Sequence, residues 1–179
     1  MLESVPTHIF LDTSLVNFML DYSEQIHDGV PIPDNASFRV ARDIDALRGI
    51  WLTGQRASWH ITISVTTVAE IERTGDSGRF HDLLNWAFEI STYSDECETL
   101  VPVRRDRLHS SHIRTIDLLP DTGDRQLLKE ALQLGCDAFC TRDWKTILRH
   151  RDQLRSLPLS IIAPHEWWEM ILPYAPLFA

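Results

Sequence analysis

A chain of 179 residues with 44% hydrophobic composition can bury one substantial core, and its length predicts a single domain spanning residues 1–179. The formal charge of −9 argues at first sight against a nucleic-acid partner, but it is unevenly spread: residues 1–100 hold six basic and sixteen acidic side chains, residues 101–155 eleven and eight, so the total can hide a basic face. No basic segment with an apolar core opens the chain, no apolar run is long enough to span a bilayer, and Cys97, Cys136 and Cys140 form neither a zinc spacing nor an even disulfide framework; the expectation is a soluble cytoplasmic protein.

In chain order, "HIFLDTSLVNF" reads as a buried strand over Ile9–Leu11 that stops at Asp12 and passes into a helix whose apolar face runs from Leu15 to Leu20. "DGVPIPDNAS" is loop chemistry. Phe38, Ala41, Ile44, Leu47, Ile50 and Trp51 then recur at about three-residue intervals, predicting an amphipathic helix that ends near Gly54; the stretch of about 21–58 reads as a helical insertion or cap. Ile61, Ile63 and Val65 alternate with Thr62 and Ser64 as in a strand, before "TTVAEIERTG" turns helical.

Leu83, Leu84, Ala87 and Phe88 predict a further helix, and "TLVPV" at 99–103 an edge strand, because its proline cannot donate to a ladder. "DRQLLKEALQLG" places Leu127, Leu128, Ala131 and Leu132 on one helical face and stops at Gly135. "DAFCTRDW" is a short buried strand entering a turn, and "LSIIAPHEWWEMIL" a final strand over Leu159–Ala163, a proline at a helix start and a Trp-rich helix. Adjacent Trp167 and Trp168 cannot both face inward, so one is available for a dimer contact. Strands alternating with helices predict an α/β domain with a mainly parallel sheet.

Four acids fall at the junctions: Asp12 after the first strand, Glu70 in the helix after the second, Asp124 at the start of the helix before Gly135, and Asp143 after Ala138-Phe139-Cys140. Each has a local explanation. Asp12 and Asp143 suit N-caps, Thr67-Val68-Ala69-Glu70 has the form of a capping box, and Asp121 can cap a helix whose dipole Asp124 then favours. Jointly they point elsewhere. In a parallel α/β sheet, strand ends share one rim, and four carboxylates meeting there repel one another unless a cation neutralises them. With no thiolate or imidazole among them, they suit a hard ion such as Mg²⁺ or Mn²⁺.

The run to Asp12-Thr13-Ser14, then "SVTTVAEI" with Glu70, then "DRQLLKEALQLGCDAFCTRDW" with Asp124 and Asp143, resembles the PIN-domain nucleases, which include toxin ribonucleases of toxin–antitoxin pairs; "IIAPHEWWEMI" is similar to that family's final strand and helix. The resemblance spans about His8 to Leu172 and thins between Asp21 and Ser58, a segment longer than in the compact toxins, and between Thr92 and Leu119. It implies a three-layer α/β/α PIN-like fold, with Asp12, Glu70, Asp124 and Asp143 as catalytic, metal-binding acids and with Thr141, Thr13 or Ser14 in support. Asp121 competes with Asp124 for the third acidic place. The activity implied is Mg²⁺- or Mn²⁺-dependent hydrolysis of RNA phosphodiester bonds, in a homodimer, with an antitoxin protein as partner if the chain is a toxin.

Arg104, Arg105, Arg107, Arg142 and Lys145 are candidate phosphate contacts, and Trp144 either stacks on an unpaired base or anchors its own helix in the core. Two other readings compete: a catalytically inactive PIN-like RNA- or protein-binding module, and a phosphotransfer domain with Asp12 as nucleophile. Thr-Ser-Leu after Asp12 departs from the acid-x-Thr arrangement that the last one needs.

Overall fold

Four short apolar segments, His8–Leu11 (β1), His60–Thr62 (β2), Ala138–Cys140 (β3) and Ser160–Ile162 (β4), pair in parallel in the order β2-β1-β3-β4. They come from a computed structural model that describes residues 5–54, 56–57, 59–73, 81–82, 85 and 108–178. Register is set by Ile9 lying opposite both Ile61 and Ala138, and by Phe139 lying opposite Ile161. β1 and β3 are covered on both faces, which is why they read as unbroken apolar runs, whereas β2 alternates and is partly exposed.

Successive side chains along a strand point to opposite faces, and each face has its own core. Ile9, Leu11, Ala138, Cys140 and Ile162 join Leu15, Val16, Ile44, Leu47, Ile50 and Trp167 on one side. Phe10 and Phe139, stacked with centroids 5.3 Å apart, join Ile116, Leu119, Leu127, Leu128 and Ala131 on the other. The first core is closed by helices α1 (Thr13–Asp21), α2 (Ser23–His27), α3 (Phe38–Gly54) and α7 (Pro164–Ile171). The second is closed by α5 (Ser110–Ile116), α6 (Thr122–Leu134) and the 3₁₀ segment Leu148–Leu154; α4 (Val65–Glu72) follows β2, and a second 3₁₀ segment, Leu172–Phe178, ends the chain. This α/β arrangement is compatible with three layers, helices covering both faces of an all-parallel sheet.

Boundaries shift where a side chain intervenes. The strand expected through Val65 ends at Thr62, because the Ser64 hydroxyl accepts the Thr67 N–H at 3.0 Å and turns the chain into α4. α6 starts at Thr122, two residues before Asp124, and ends at Gly135, whose φ of 75° is the left-handed conformation that glycine adopts without strain. Cys136 and Cys140 are buried and not joined in a disulfide. Leu83, Leu84, Ala87 and Phe88, on which the further helix is expected, and the edge strand at 99–103 lie outside the described residues, as does Cys97. No helix among the described residues is long and apolar enough to cross a membrane.

The 21–58 segment forms α2 and α3, and α3 packs against α7. Trp167 is 1% exposed, whereas Trp168 is half-buried against α3. The two helices approach so closely that a Cβ at Gly49 would lie 2.5 Å from the Trp168 ring. Overpacking costs about 1–3 kcal/mol, and the better helix propensity of alanine returns only about 1 kcal/mol. Gly49→Ala is therefore expected to lower the thermal midpoint by a few degrees and to shift tryptophan fluorescence; an unchanged or higher midpoint would mean that the Trp168 ring swings aside freely.

Candidate metal centre

The four acids occupy one rim of the sheet, and the structure assigns each a different task. Asp12 is the first residue beyond β1, and its N–H donates to the Cys140 carbonyl at 3.1 Å, so it is pinned beside the end of β3. Its backbone occupies the N-cap position of α1, but its side chain makes no capping bond. The carboxylate turns inward, where Oδ2 accepts the Ser14 hydroxyl at 2.5 Å and the Thr141 hydroxyl at 2.6 Å. The N-cap expectation for Asp12 is thus corrected: a group 3% exposed serves the rim, not the helix end. Burial pushes its pKa up, the two hydroxyls pull it back, and the charges of Asp143 and Glu70 add to the rise.

The capping box expected at Thr67–Glu70 does not form either. Ser64 supplies the cap, and Thr67 lies buried inside α4 with its hydroxyl 3.2 Å from that of Ser64. Glu70 is left to accept the Thr13 hydroxyl on Oε2 at 2.5 Å. Its other oxygen reaches the start of α6, where a Cβ on Gly123 would lie 3.1 Å from Glu70 Oε1 and 3.0 Å from Asp121 Oδ1. A side chain at position 123 would crowd both acids.

Asp121 does cap α6, accepting the N–H groups of Gly123 at 2.8 Å and Asp124 at 3.1 Å, and is exposed. That leaves Asp124 free of helix capping. Its Oδ2 is buried without a hydrogen-bond partner, which is costly for a carboxylate. Burial, outweighing the effect of the nearby Thr146 hydroxyl and reinforced by the charges of Asp121, Asp12 and Asp143, raises its pKa to about 6. Of the two acids competing for the third place, Asp124 carries the unsatisfied oxygen.

Asp143 caps a turn and not the helix expected after it, since residues 144–147 form a turn and Ile147 is the N-cap of the 3₁₀ segment that follows; its Oδ1 accepts the N–H groups of Lys145 and Thr146 at 2.7 and 2.9 Å, and Oδ2 the Thr146 hydroxyl at 2.7 Å. Its own N–H donates to Thr141 Oγ1 at 2.9 Å, so one hydroxyl joins Asp143 to Asp12. Burial acts to raise the Asp143 pKa, but the bonds from Thr146 and Lys145 and the Lys145 charge outweigh it and hold the acid below its usual value.

Arg142, expected at a substrate phosphate, is already engaged. Its Nε donates to Asp43 Oδ2 at 2.8 Å, and its guanidinium lies 3.5 Å from the centre of the Phe18 ring. Trp144 is half-buried, with the Arg39 guanidinium 4.8 Å from its centroid and the His165 ring stacked at 6.2 Å, so it is neither a core anchor nor a bare platform. Lys145 is exposed beside Asp143. Arg104, Arg105 and Arg107 lie outside the described residues. Sequence reasoning missed Thr146 and Asp43; the signal for Asp43 is that it shares an i, i+4, i+7 face with Leu47 and Ile50, an acid on an apolar stripe.

The donors fit a hard divalent cation, since all are oxygens, and the orphaned Asp124 Oδ2 marks negative charge that the protein leaves uncompensated. The Cys140 thiol, fully buried and raised well above its ordinary pKa by burial and by Asp12, is no competitor. Among the described residues no group of three or more His, Cys, Asp or Glu side chains is placed so as to hold a metal ion, and the oxygens of Asp12, Glu70 and Asp143 are engaged by hydroxyls and amides. No protein-family model, curated protein or solved structure matches the chain.

A carboxylate whose folded pKa lies above its unfolded value of 3.8 makes the folded state bind the proton more tightly, so Asp124 costs stability as pH rises from about 4 through about 6. In metal-free buffer Asp124→Asn should melt higher than wild type at pH 7.5, with the gap closing toward pH 4. A variant less stable at pH 7.5 would show that favourable contacts of the ionised Asp124 carboxylate outweigh burial and repulsion.

Proposed function

We propose that the chain is a metal-dependent ribonuclease with a PIN-like fold. The observation that carries this reading is the convergence of Asp12, Glu70, Asp124 and Asp143 on one rim, with Asp12 buried and an Asp124 oxygen buried without a partner. Local capping accounts for Asp143 and Asp121, but it does not account for Asp12 or Glu70, whose carboxylates make no helix cap. An inert binding module has no use for such a cluster, because each added charge raises the cost of the others.

Asp12, Glu70, Asp124 and Asp143 would hold the ion. Mg²⁺ or Mn²⁺ supplies acidification of water and neutralisation of the charge that develops on an attacked phosphate. The chain's part is to hold oxygens in place. Thr141 and Ser14 fix the Asp12 carboxylate, Thr13 fixes Glu70, and Thr146 with two backbone amides fixes Asp143 in its ionised form. Lys145, exposed next to Asp143, is placed to meet the polyanion by charge, without reading its sequence. No protein nucleophile is required.

The reading is tested without knowledge of the natural target by titrating metal-stripped protein with Mn²⁺ in a calorimeter and assaying cleavage of single-stranded RNA. Saturable binding and cleavage, both lost in Asp12→Asn while the fold persists, are expected. Binding near pH 6 should release protons, since Asp124 is partly protonated there and a ligand must ionise. Absence of binding in the wild type would overturn the assignment and leave the rim acids without a cation.

A further inference from the structure

A second charged cluster lies behind the acidic rim, and neither capping nor the proposed chemistry uses it. Asp43, in the middle of α3, is 1% exposed, an unusual place for a carboxylate. Its Oδ2 accepts Arg142 Nε at 2.8 Å, and its Oδ1 faces His165 Nδ1 of α7 at 3.5 Å, with Arg42 Nε at 4.0 Å. Arg142 sits between Thr141 and Asp143, and its N–H donates to Ser14 Oγ at 3.3 Å. Ser14 and Thr141 are the two hydroxyls on Asp12. A continuous chain of contacts therefore runs from α3, through one guanidinium, into the turn that carries Asp143 and the hydroxyls that fix Asp12.

We infer that Asp43 is a positioning residue for the acidic site: by holding Arg142 it fixes the Thr141–Arg142–Asp143 turn, and so makes α3 a working part of the site. The inference rests on the ribonuclease reading for its consequence and on geometry alone for its mechanism. A buried carboxylate is tolerated when paired, and a guanidinium presents a planar, preorganised donor face that fixes direction as well as distance. The Phe18 ring, 3.5 Å below the guanidinium, closes one face of Arg142, leaving the side chain little freedom. With Asp43 neutralised, Arg142 loses its anion and the turn loses its tether to α3. Outer contacts of this kind orient metal-binding acids, and losing one typically weakens metal binding about 10–100-fold.

The test pairs Asp43→Asn with Asp45→Asn, which makes the same charge change at an exposed position of the same helix, and reads two things. In metal-free protein, amide hydrogen exchange is followed at Arg142 and Asp143; in Mn²⁺ titrations, affinity is measured. Asp43→Asn should speed exchange at those two amides at least about tenfold, with Phe139 and Leu128 still protected, and weaken Mn²⁺ binding about 10–100-fold; Asp45→Asn should do neither. Unchanged exchange with unchanged affinity would overturn the inference, as would acceleration spread evenly over the core. If wild-type protein binds no Mn²⁺, the ribonuclease reading fails, and the exchange result alone decides whether Asp43 holds the turn. Should Asp43→Asn fail to fold, Asp43→Asn with Arg142→Met leaves no unpaired buried charge; wild-type Mn²⁺ affinity in that double variant would also overturn the inference.

Discussion

Burying a carboxylate at the end of the central strand is the constraint around which the rim is built. Asp12 can be 3% exposed because hydroxyls from two other places reach the same oxygen: Ser14 from the first turn of α1, and Thr141 from beyond β3. Parallel pairing makes this possible. Leu11 lies opposite Cys140, so the residues that follow, Asp12 and Thr141, leave the sheet side by side. A one-residue slip would send every side chain of one strand to the other face, breaking both cores together with the hydroxyl pair.

The acids on this rim are driven apart electrostatically by their surroundings. Asp143, wrapped by two amides, a hydroxyl and Lys145, is held ionised, whereas Asp124 and Asp12 are shifted toward the protonated form by burial and by their neighbours. A cluster so arranged favours partial protonation near neutral pH when nothing else balances its charge. On the proposed reading a cation competes with those protons, so its affinity climbs with pH over the range in which Asp124 ionises. Asp143 is ready to ligate without first losing a proton.

Much of this was legible in the amino-acid sequence, for reasons that differ from one element to the next. β1 and β3 announce themselves because both faces are buried, and α6 because its apolar phase is clean and Gly135 stops it. The placement of Asp12, Asp124 and Asp143 follows from those boundaries. What the sequence could not decide was the direction of each side chain. Asp12 and Asp143 both occupy sites suited to N-caps, yet one carboxylate turns to its own backbone and the other to a neighbouring strand end. Likewise, a capping box at Thr67–Glu70 is a sound local reading until Ser64, one residue before α4, takes the cap first. Local chemistry proposes several partners, and tertiary contact chooses among them.

Asp43 illustrates the same limit on a larger scale. An acid on the apolar stripe of an amphipathic helix is visible as an anomaly, but its partners come from α7 and from the turn after β3, about 120 and 100 residues away along the chain. Its burial depends on how closely α3 and α7 approach, and that approach is licensed by the missing side chain of Gly49 under Trp168. His165 and Trp168 stand three residues apart on α7, so the contact that packs the helices and the contact that faces the buried acid share one helical face. Core packing and the order of the acidic rim are consequently a single constraint: whatever loosens the α3–α7 seam also loosens Asp43, and through Arg142 the turn that presents Asp143.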